Sequence, residues 1–152
     1  MKPILAFVLT CFFAVSGLAQ SAEEPMQEEL FVTVDQVELD DLKWKKRPVV
    51  VFADSENDPA FAEQVELLRA RTDELRMRDV IVITDTDPDA RSDLRVKLRP
   101  RGFMLVLIDK DGGVKLRKPF PWDVREITRS IDKMPTRQLE IREEKERQLN
   151  RQ

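Results

Sequence analysis

The chain has 152 residues, and 36% of them are charged, with 26 Lys and Arg against 29 Asp and Glu. A net charge of −3 argues against nucleic-acid binding, which draws its affinity from clustered cations. One cysteine and no histidine exclude a disulfide framework, zinc or copper sites, and catalysis by a histidine base.

Residues 1–22 have the layout of a secretory signal peptide. Lys2 gives a positive start, an apolar run too short to span a bilayer follows, and small residues allow cleavage after Ala19 or Ala22. Cys11 lies inside this run. We therefore expect an exported protein, periplasmic or extracellular, whose mature form has no thiol and no transmembrane segment. An uncleaved anchor is the alternative.

Residues 23–37 are predicted to be a polar lead-in with a candidate edge strand at Leu30–Val34. Leu39–Arg47 follows as a turn or a single helical turn, in which Trp44 stands between lysines. We expect Trp44 to pin this lead-in onto the core. An exposed aromatic side chain for ligand stacking is the alternative.

A β-α-β unit is predicted next. Val49–Ala53 and Val80–Thr84 are rich in β-branched apolar residues, as in strands that are covered on both faces. Between them, Asp58 is an N-cap candidate, Pro59 suits the first helical position, and an apolar stripe predicts one amphipathic helix to about Met77. The short connections predict a parallel strand pair with a right-handed crossover.

A short helix, a β-hairpin and a longer helix are predicted for the second half of the chain. The short helix lies within residues 85–98, and its apolar contacts are Leu94, Val96 and Leu98. The hairpin joins strands at 103–108 and 114–118 through a loop with two glycines. Asp123 begins the final helix of the domain, whose apolar face carries Val124, Ile127 and Ile131.

The sequence after the Met134-Pro135 break is highly charged. We place the domain at residues 38–135 and interpret 136–152 as a solvated, partly helical tail that contributes little to the core. A partner-binding helix is the alternative interpretation of this tail.

This order of elements is that of the thioredoxin-like fold, an α/β three-layer sandwich whose mixed sheet has a parallel β-α-β unit followed by a β-hairpin and a C-terminal helix. The sequence also resembles the DUF4174 family, small secreted bacterial proteins of unknown function. Segments 39–53, 102–117 and 131–137 carry the resemblance, and Lys110–Arg117 is its most distinctive part. The resemblance spans about residues 38–140. It implies the fold and export but no reaction, because the family has no established activity.

Redox thioredoxins carry a Cys-x-x-Cys between the first core strand and its helix. The residues in that place here contain no sulfur. Pro100 lies near the position of the cis-proline of those enzymes, but two residues separate it from the next strand and we expect a trans bond. We predict an interaction surface at this end of the sheet, made of Asp54, Ser55, Glu56, Asn57, Asp58, Pro100 and Arg101.

The leading hypothesis is a non-catalytic binding module that has no cofactor and no thiol-redox activity, with an unknown protein or envelope component as its partner. One alternative is an enzyme that uses the carboxylates of Asp54, Glu56 and Asp58. Another is an envelope-associated structural protein held by its charged tail.

The acidic segment Asp85–Asp89 resembles a cation loop. A helix-loop-helix calcium site needs glycine at its sixth position and glutamate at its twelfth, where this chain has Ala90 and Val96. We therefore interpret the segment as an acidic loop in which Asp87 or Asp89 caps the next helix.

A cluster of cations surrounds the predicted hairpin: Lys97, Arg99, Arg101, Lys115, Arg117 and Lys118. They would suit an anionic lipid headgroup, a polysaccharide or an acidic protein face. The interpretation we favour is an edge strand decorated with cations, which prevents sheet-to-sheet association.

Overall fold

The computed structural model describes residues 29–151, so the predicted signal peptide at 1–22 lies outside the described residues and stays a prediction. In this part of the chain the strands are β1 (Phe31–Thr33), β2 (Arg47–Phe52), β3 (Val80–Asp85), β4 (Met104–Ile108) and β5 (Val114–Lys118). The α-helices are α1 (Pro59–Arg69), α2 (Thr72–Arg76), α3 (Asp93–Leu98), α4 (Val124–Asp132) and α5 (Pro135–Leu149). Two short 3₁₀ turns, Val34–Gln36 and Leu39–Leu42, connect β1 to β2.

The strands form one mixed sheet in the order β1-β3-β2-β4-β5. β2 and β3 are parallel and joined through α1 and α2, which confirms the predicted β-α-β unit. β4 runs antiparallel to β2 and leads into β5 through the predicted hairpin. Phe52 at the end of β2 pairs with Asp85 of β3 and with Met104 of β4. We name this edge, where β2 and β3 end and β4 begins, the carboxyl end of the sheet, and the opposite edge its amino end.

Side chains alternate between the two faces of the sheet and form two apolar clusters. Val49 and Val51 of β2 belong to one cluster with residues of α1, α2 and α4. Val50 and Phe52 belong to the other with Leu94 and Leu98 of α3. The sheet is therefore the middle of three layers, and every residue of β2 is buried.

The single helix predicted to run to about Met77 is two helices. Arg71, with φ −137° and ψ 44°, leaves the helical region and separates α1 from α2. The apolar stripe continues across the break, because Leu68 and Leu75 are both fully buried in the same cluster. The sequence prediction also missed buried Gln64, whose amide donates to the Trp122 carbonyl and accepts from the Trp122 N–H.

The prediction that Trp44 pins the lead-in onto the core is wrong, because its side chain is 68% exposed. Trp44 has a positive φ of 63°, and its N–H donates to the Lys110 carbonyl at 2.8 Å. The backbone of this residue is thus held against the hairpin loop while the indole faces solvent. Leu39 and Leu42 of the neighbouring 3₁₀ turn pack against the core in its place.

The prediction that Val96 contacts the core is also wrong. Leu94 and Leu98 are four positions apart and share the buried face of α3, whereas Val96 lies between them on the other side and is 57% exposed. The buried neighbour of Leu94 is instead Arg95, a residue that hydrophobic patterning assigns to solvent.

The charged C-terminal segment forms helix α5, and no residue of α5 is buried, as the sequence indicated. Its first turns nevertheless contact the amino end of the sheet, where Thr136 and Glu140 bind the side chain of Arg47. Within residues 29–151, no helix combines the length and the apolar character needed to cross a bilayer.

Candidate functional site

The carboxyl end of the sheet gathers the loops that the sequence singled out. Residues 54–58 follow β2, and residues 100–102 precede β4. Because Phe52 pairs with Met104, both loops lie at this end, as predicted. Asp54, Ser55, Glu56, Asn57 and Arg101 are exposed, and Pro100 is half-buried.

The loop after β2 is held by its own side chains. The Asp58 carboxylate accepts the Ala60 N–H at 2.8 Å and the Phe61 N–H at 3.4 Å, which confirms the predicted N-cap of α1. The Ser55 hydroxyl accepts the Asn57 N–H at 3.1 Å. Asp58 is thereby committed to capping. The carboxylates of Asp54 and Glu56 have no hydrogen bond or ion pair to any residue in the range 29–151.

A buried ion pair forms the floor beneath these loops. The Arg95 Nε donates to Asp85 Oδ1 at 2.8 Å, and its Nη2 donates to the carbonyls of Ala53 and Asp85 at 2.6 and 3.0 Å. The Ser92 hydroxyl donates to the other oxygen of Asp85. The side chains of Arg95 and Asp85 are only 9% and 1% exposed. Arg95 also lies over the Phe52 ring, 5.4 Å from its centroid.

Ser92, and not Asp87 or Asp89, caps the helix after β3. The Ser92 hydroxyl accepts the Arg95 N–H at 3.2 Å, while Asp87 accepts the N–H groups of Asp89 and Ala90 within the loop. The correct signal was available, because serine directly before a helical segment is a preferred N-cap. Across residues 29–151, no set of three or more acidic side chains is arranged to hold a metal ion.

A groove beside this floor is lined by three arginines. Its volume is about 420 Å³, and its walls are Pro88, Arg91, Arg95, Val96, Arg99 and Pro100. We name it the arginine groove. Arg91 and Arg99 are exposed on either side of α3 and have no hydrogen-bonding or ionic partner for their guanidinium groups among the described residues. Pro100 is joined by a trans peptide bond, as expected, because residues 29–151 contain no cis bond.

The cation cluster predicted around the hairpin separates into two groups. Arg117 donates to the Leu98 carbonyl, Lys118 lies 4.7 Å from the centroid of the Trp122 ring, and Lys115 is 3.8 Å from Asp111. These cations of β5, which is an edge strand of the sheet, are engaged with their own neighbours. The remaining cations face solvent at and after the C-terminal half of α3: Lys97, Arg99 and Arg101.

A second buried arginine lies at the amino end of the sheet. Arg47 Nε donates to Asp109 at 3.1 Å, Nη1 donates to the Arg78 carbonyl and Glu140, and Nη2 donates to Thr136 and Glu140. These bonds use all five N–H donors of the guanidinium. This cluster could not be predicted, because no local pattern in the sequence connects Arg47 with Glu140.

Glu140 is the acid that closes this cluster. Burial raises the pKa of its carboxyl, but hydrogen bonds from Arg47 and Lys110 outweigh burial and lower the pKa from 4.5 to about 2. Lys110 Nζ lies 2.8 Å from Glu140 and 2.7 Å from Asp79. Nearby, the Arg78 guanidinium holds the pKa of Asp132 below its usual value. Both lowered pKa values favour the ionised carboxylates of Glu140 and Asp132 at neutral pH.

Comparison with known proteins places this fold. The family model described as "Domain of unknown function (DUF4174)" matches residues 38–140. The reduced 2-Cys peroxiredoxin of Plasmodium vivax is similar in structure, with 17% identity, coverage of 63% of this chain and 81% of that one, and a TM-score of 0.53. Chloroplastic thioredoxin z has 22% identity, coverage of 68% and 94%, and a TM-score of 0.51. No curated protein matches the sequence. These similarities confirm the predicted thioredoxin-like fold.

Proposed function

We propose that this chain, which belongs to the DUF4174 family, is a non-catalytic thioredoxin-like binding module. It would recognise a protein or envelope component with the carboxyl end of its sheet. The proposal is supported by the residue types found at the carboxyl end of the sheet. The loop after β2, where redox thioredoxins hold their cysteines, contains only Asp54–Asp58, and four of these five residues are exposed. The buried Arg95–Asp85 pair lies next to this loop, because Arg95 donates to the Ala53 carbonyl.

Thiol chemistry has no residue to perform it in the folded domain. The only cysteine of the chain is Cys11, and the chain has no histidine. The carboxylate alternative has less support from the geometry, because Asp58 is committed to capping α1 and leaves Asp54 and Glu56 without hydrogen bonds that would fix their positions. Paired acid-base catalysis requires carboxylates that are held in defined positions.

The proposed location is the periplasm or the extracellular space. Its support is the signal-like layout of residues 1–22. Attachment to the envelope through the charged tail is the weaker idea. The first turns of that tail belong to the fold, since Thr136 and Glu140 bind Arg47. Deleting residues 136–152 would therefore disturb stability as well as any attachment.

A crosslinking capture from the cell envelope tests the binding role. The double variant Glu56→Lys, Arg101→Glu reverses two exposed charges at the carboxyl end, and Glu143→Lys reverses one exposed charge on α5 as a control away from that end. We expect the wild type and Glu143→Lys to capture the same partner and the double variant to lose it. Equal capture by all three would refute this surface as the binding site.

A turnover assay tests the non-catalytic part of the proposal. The purified exported protein should neither reduce insulin disulfides nor consume hydrogen peroxide above the rate in buffer, since both reactions in this fold use a thiolate. Turnover that survives a Cys11→Ser substitution would show chemistry that the proposal denies.

A further inference from the structure

We infer that the arginine groove is a binding site for a phosphate group carried by a small organic molecule or a lipid headgroup. The inference rests on the proposed function, because it names the ligand class that the carboxyl end of the sheet would recognise. Neither the family description nor the structural relatives assign this groove a role.

Arg95 provides the first argument. Its side chain is nine-tenths buried, yet its Nη1 atom stays accessible to solvent. Its Nε and Nη2 use three N–H donors on Asp85 and Ala53. The remaining nitrogen, Nη1, has no acceptor within residues 29–151, and Arg95 is part of the wall of the groove. Two donors of a buried arginine are therefore left for an acceptor that comes from solvent.

The charge of the lining provides the second argument. Arg91, Arg95 and Arg99 line the groove, and no acidic residue does. The Asp85 carboxylate behind Arg95 has both oxygens occupied, one by Arg95 and one by Ser92. The Asp87 carboxylate is occupied by backbone N–H groups of its own loop. The positive charge of Arg91 and Arg99 is consequently not neutralised by a carboxylate inside the groove.

The shape and chemistry of the groove favour a phosphate ester over a bare ion. Guanidinium groups bind phosphate oxygens through paired, charge-assisted hydrogen bonds. The volume of about 420 Å³ exceeds what one phosphate fills, and the rest of the wall is apolar: Pro88, Val96 and Pro100. Val96, whose exposure contradicted the sequence prediction, would then contact the organic part of the ligand.

Calorimetric titration of the purified chain with inorganic phosphate, in a chloride buffer at pH 7.5, tests the site itself. We expect saturable binding at one site per chain. Arg91→Gln and Arg99→Gln should each weaken it about tenfold or more, because each removes a charged donor from the wall. Lys97→Gln removes an exposed cation from the same helix outside the groove and should change the affinity less than twofold.

Two results of this titration would overturn the inference. One is a heat signal that does not saturate. The other is an effect of Lys97→Gln equal to that of Arg99→Gln, which would mean that phosphate senses only the general charge of α3. Circular dichroism of each variant separates loss of binding from loss of folding.

Parallel titrations identify the source of the phosphate group. Binding of glycerol phosphate that Arg99→Gln abolishes indicates a soluble ester, and sedimentation with phosphatidylglycerol vesicles that Arg99→Gln abolishes indicates a lipid headgroup. Either result supports the site, and binding to neither probe opposes it. Phosphate binding without charge-dependent partner capture would refute only the proposed protein-binding role. Capture without phosphate binding would refute only this inference.

Discussion

The two ends of the sheet each bury one arginine, and they differ in how completely the protein satisfies it. Arg47 at the amino end donates five hydrogen bonds, to Asp109, Thr136, Glu140 and the Arg78 carbonyl. Arg95 at the carboxyl end donates three. A fully satisfied arginine stabilises a fold, whereas an arginine with donors facing a groove is available to a ligand. The two ion pairs therefore differ in the number of arginine donors left for an acceptor from outside the protein.

The two ends differ in which elements supply partners to the buried arginine. Helix α5 lies over Arg47 and brings Thr136 and Glu140 to it. At the carboxyl end Arg95 belongs to α3 itself, and within residues 29–151 its guanidinium donates only to Asp85 and Ala53, at the ends of β3 and β2. Substitutions at the two ends test this contrast, beginning with the largest expected effect.

Arg47→Met should be the most destabilising substitution. It leaves the Asp109 carboxylate, whose side chain is 1% exposed, without its guanidinium, and breaking a buried pair costs about 3–5 kcal/mol. Urea unfolding followed by circular dichroism measures this loss. A loss below about 1 kcal/mol would show that the cluster contributes little to stability.

Arg95→Met should cost less, about 2–3 kcal/mol, because its guanidinium makes three hydrogen bonds and pairs with one acid, whereas that of Arg47 makes five and pairs with both Asp109 and Glu140. The same urea experiment gives the value, and Lys97→Met on the exposed side of α3 is the control for the added methionine. Equal losses for Arg95→Met and Arg47→Met would remove the contrast between the two ends.

Glu140→Gln should change how stability depends on pH. The pKa of Glu140 is lowered in the folded protein, from 4.5 to about 2. Its contribution to stability is therefore present above pH 4.5 and is lost as the pH falls from 4.5 toward 2. At pH 7 the substitution should cost roughly 1 kcal/mol, since the carboxylate is partly exposed to solvent.

Unfolding of Glu140→Gln and the wild type at pH 7, 4 and 2.5 checks this dependence. The difference between the two proteins should shrink toward zero at the lowest pH. Glu143→Gln, an exposed change one turn further along α5, should follow the wild type at each pH. A difference that stays constant with pH would show that Glu140 acts through packing and not through its charge.

Trp44→Ala should have the smallest effect, within about 0.5 kcal/mol, because the indole faces solvent. Urea unfolding is again the measurement. A loss above about 2 kcal/mol would mean that the Trp44 side chain packs on the core in solution, as its sequence suggested.

The fold could be predicted because its signals are local. Apolar β-branched runs identified β2 and β3, the Asp58-Pro59 pair identified the start of α1, and the glycine loop identified the hairpin between β4 and β5. Each of these signals acts over a few neighbouring residues, so the chain order of the elements followed directly.

The floor of the candidate site could not be predicted, because its contacts are distant in sequence or run against hydrophobic patterning. Arg95 reaches the Ala53 carbonyl across 42 positions, and a buried arginine in a six-residue helix has no signature in the sequence. The prediction that Trp44 packs on the core also failed. Its large apolar ring indicated burial, but the residue has a positive φ of 63° and its side chain is 68% exposed.

Arg47 and Glu140 are hydrogen-bonded although 93 positions separate them in the sequence, and this separation has a consequence for how each molecule is made. The ribosome adds the residues of β2 long before it adds Glu140, whose carboxylate completes the hydrogen bonding of Arg47. Without Thr136 and Glu140, the side chain of Arg47 keeps only the hydrogen bonds to Asp109 and to the Arg78 carbonyl. A protease that removed α5 would therefore take away the acceptors of three of the five Arg47 hydrogen bonds, although the cut lies far from β2 in the sequence.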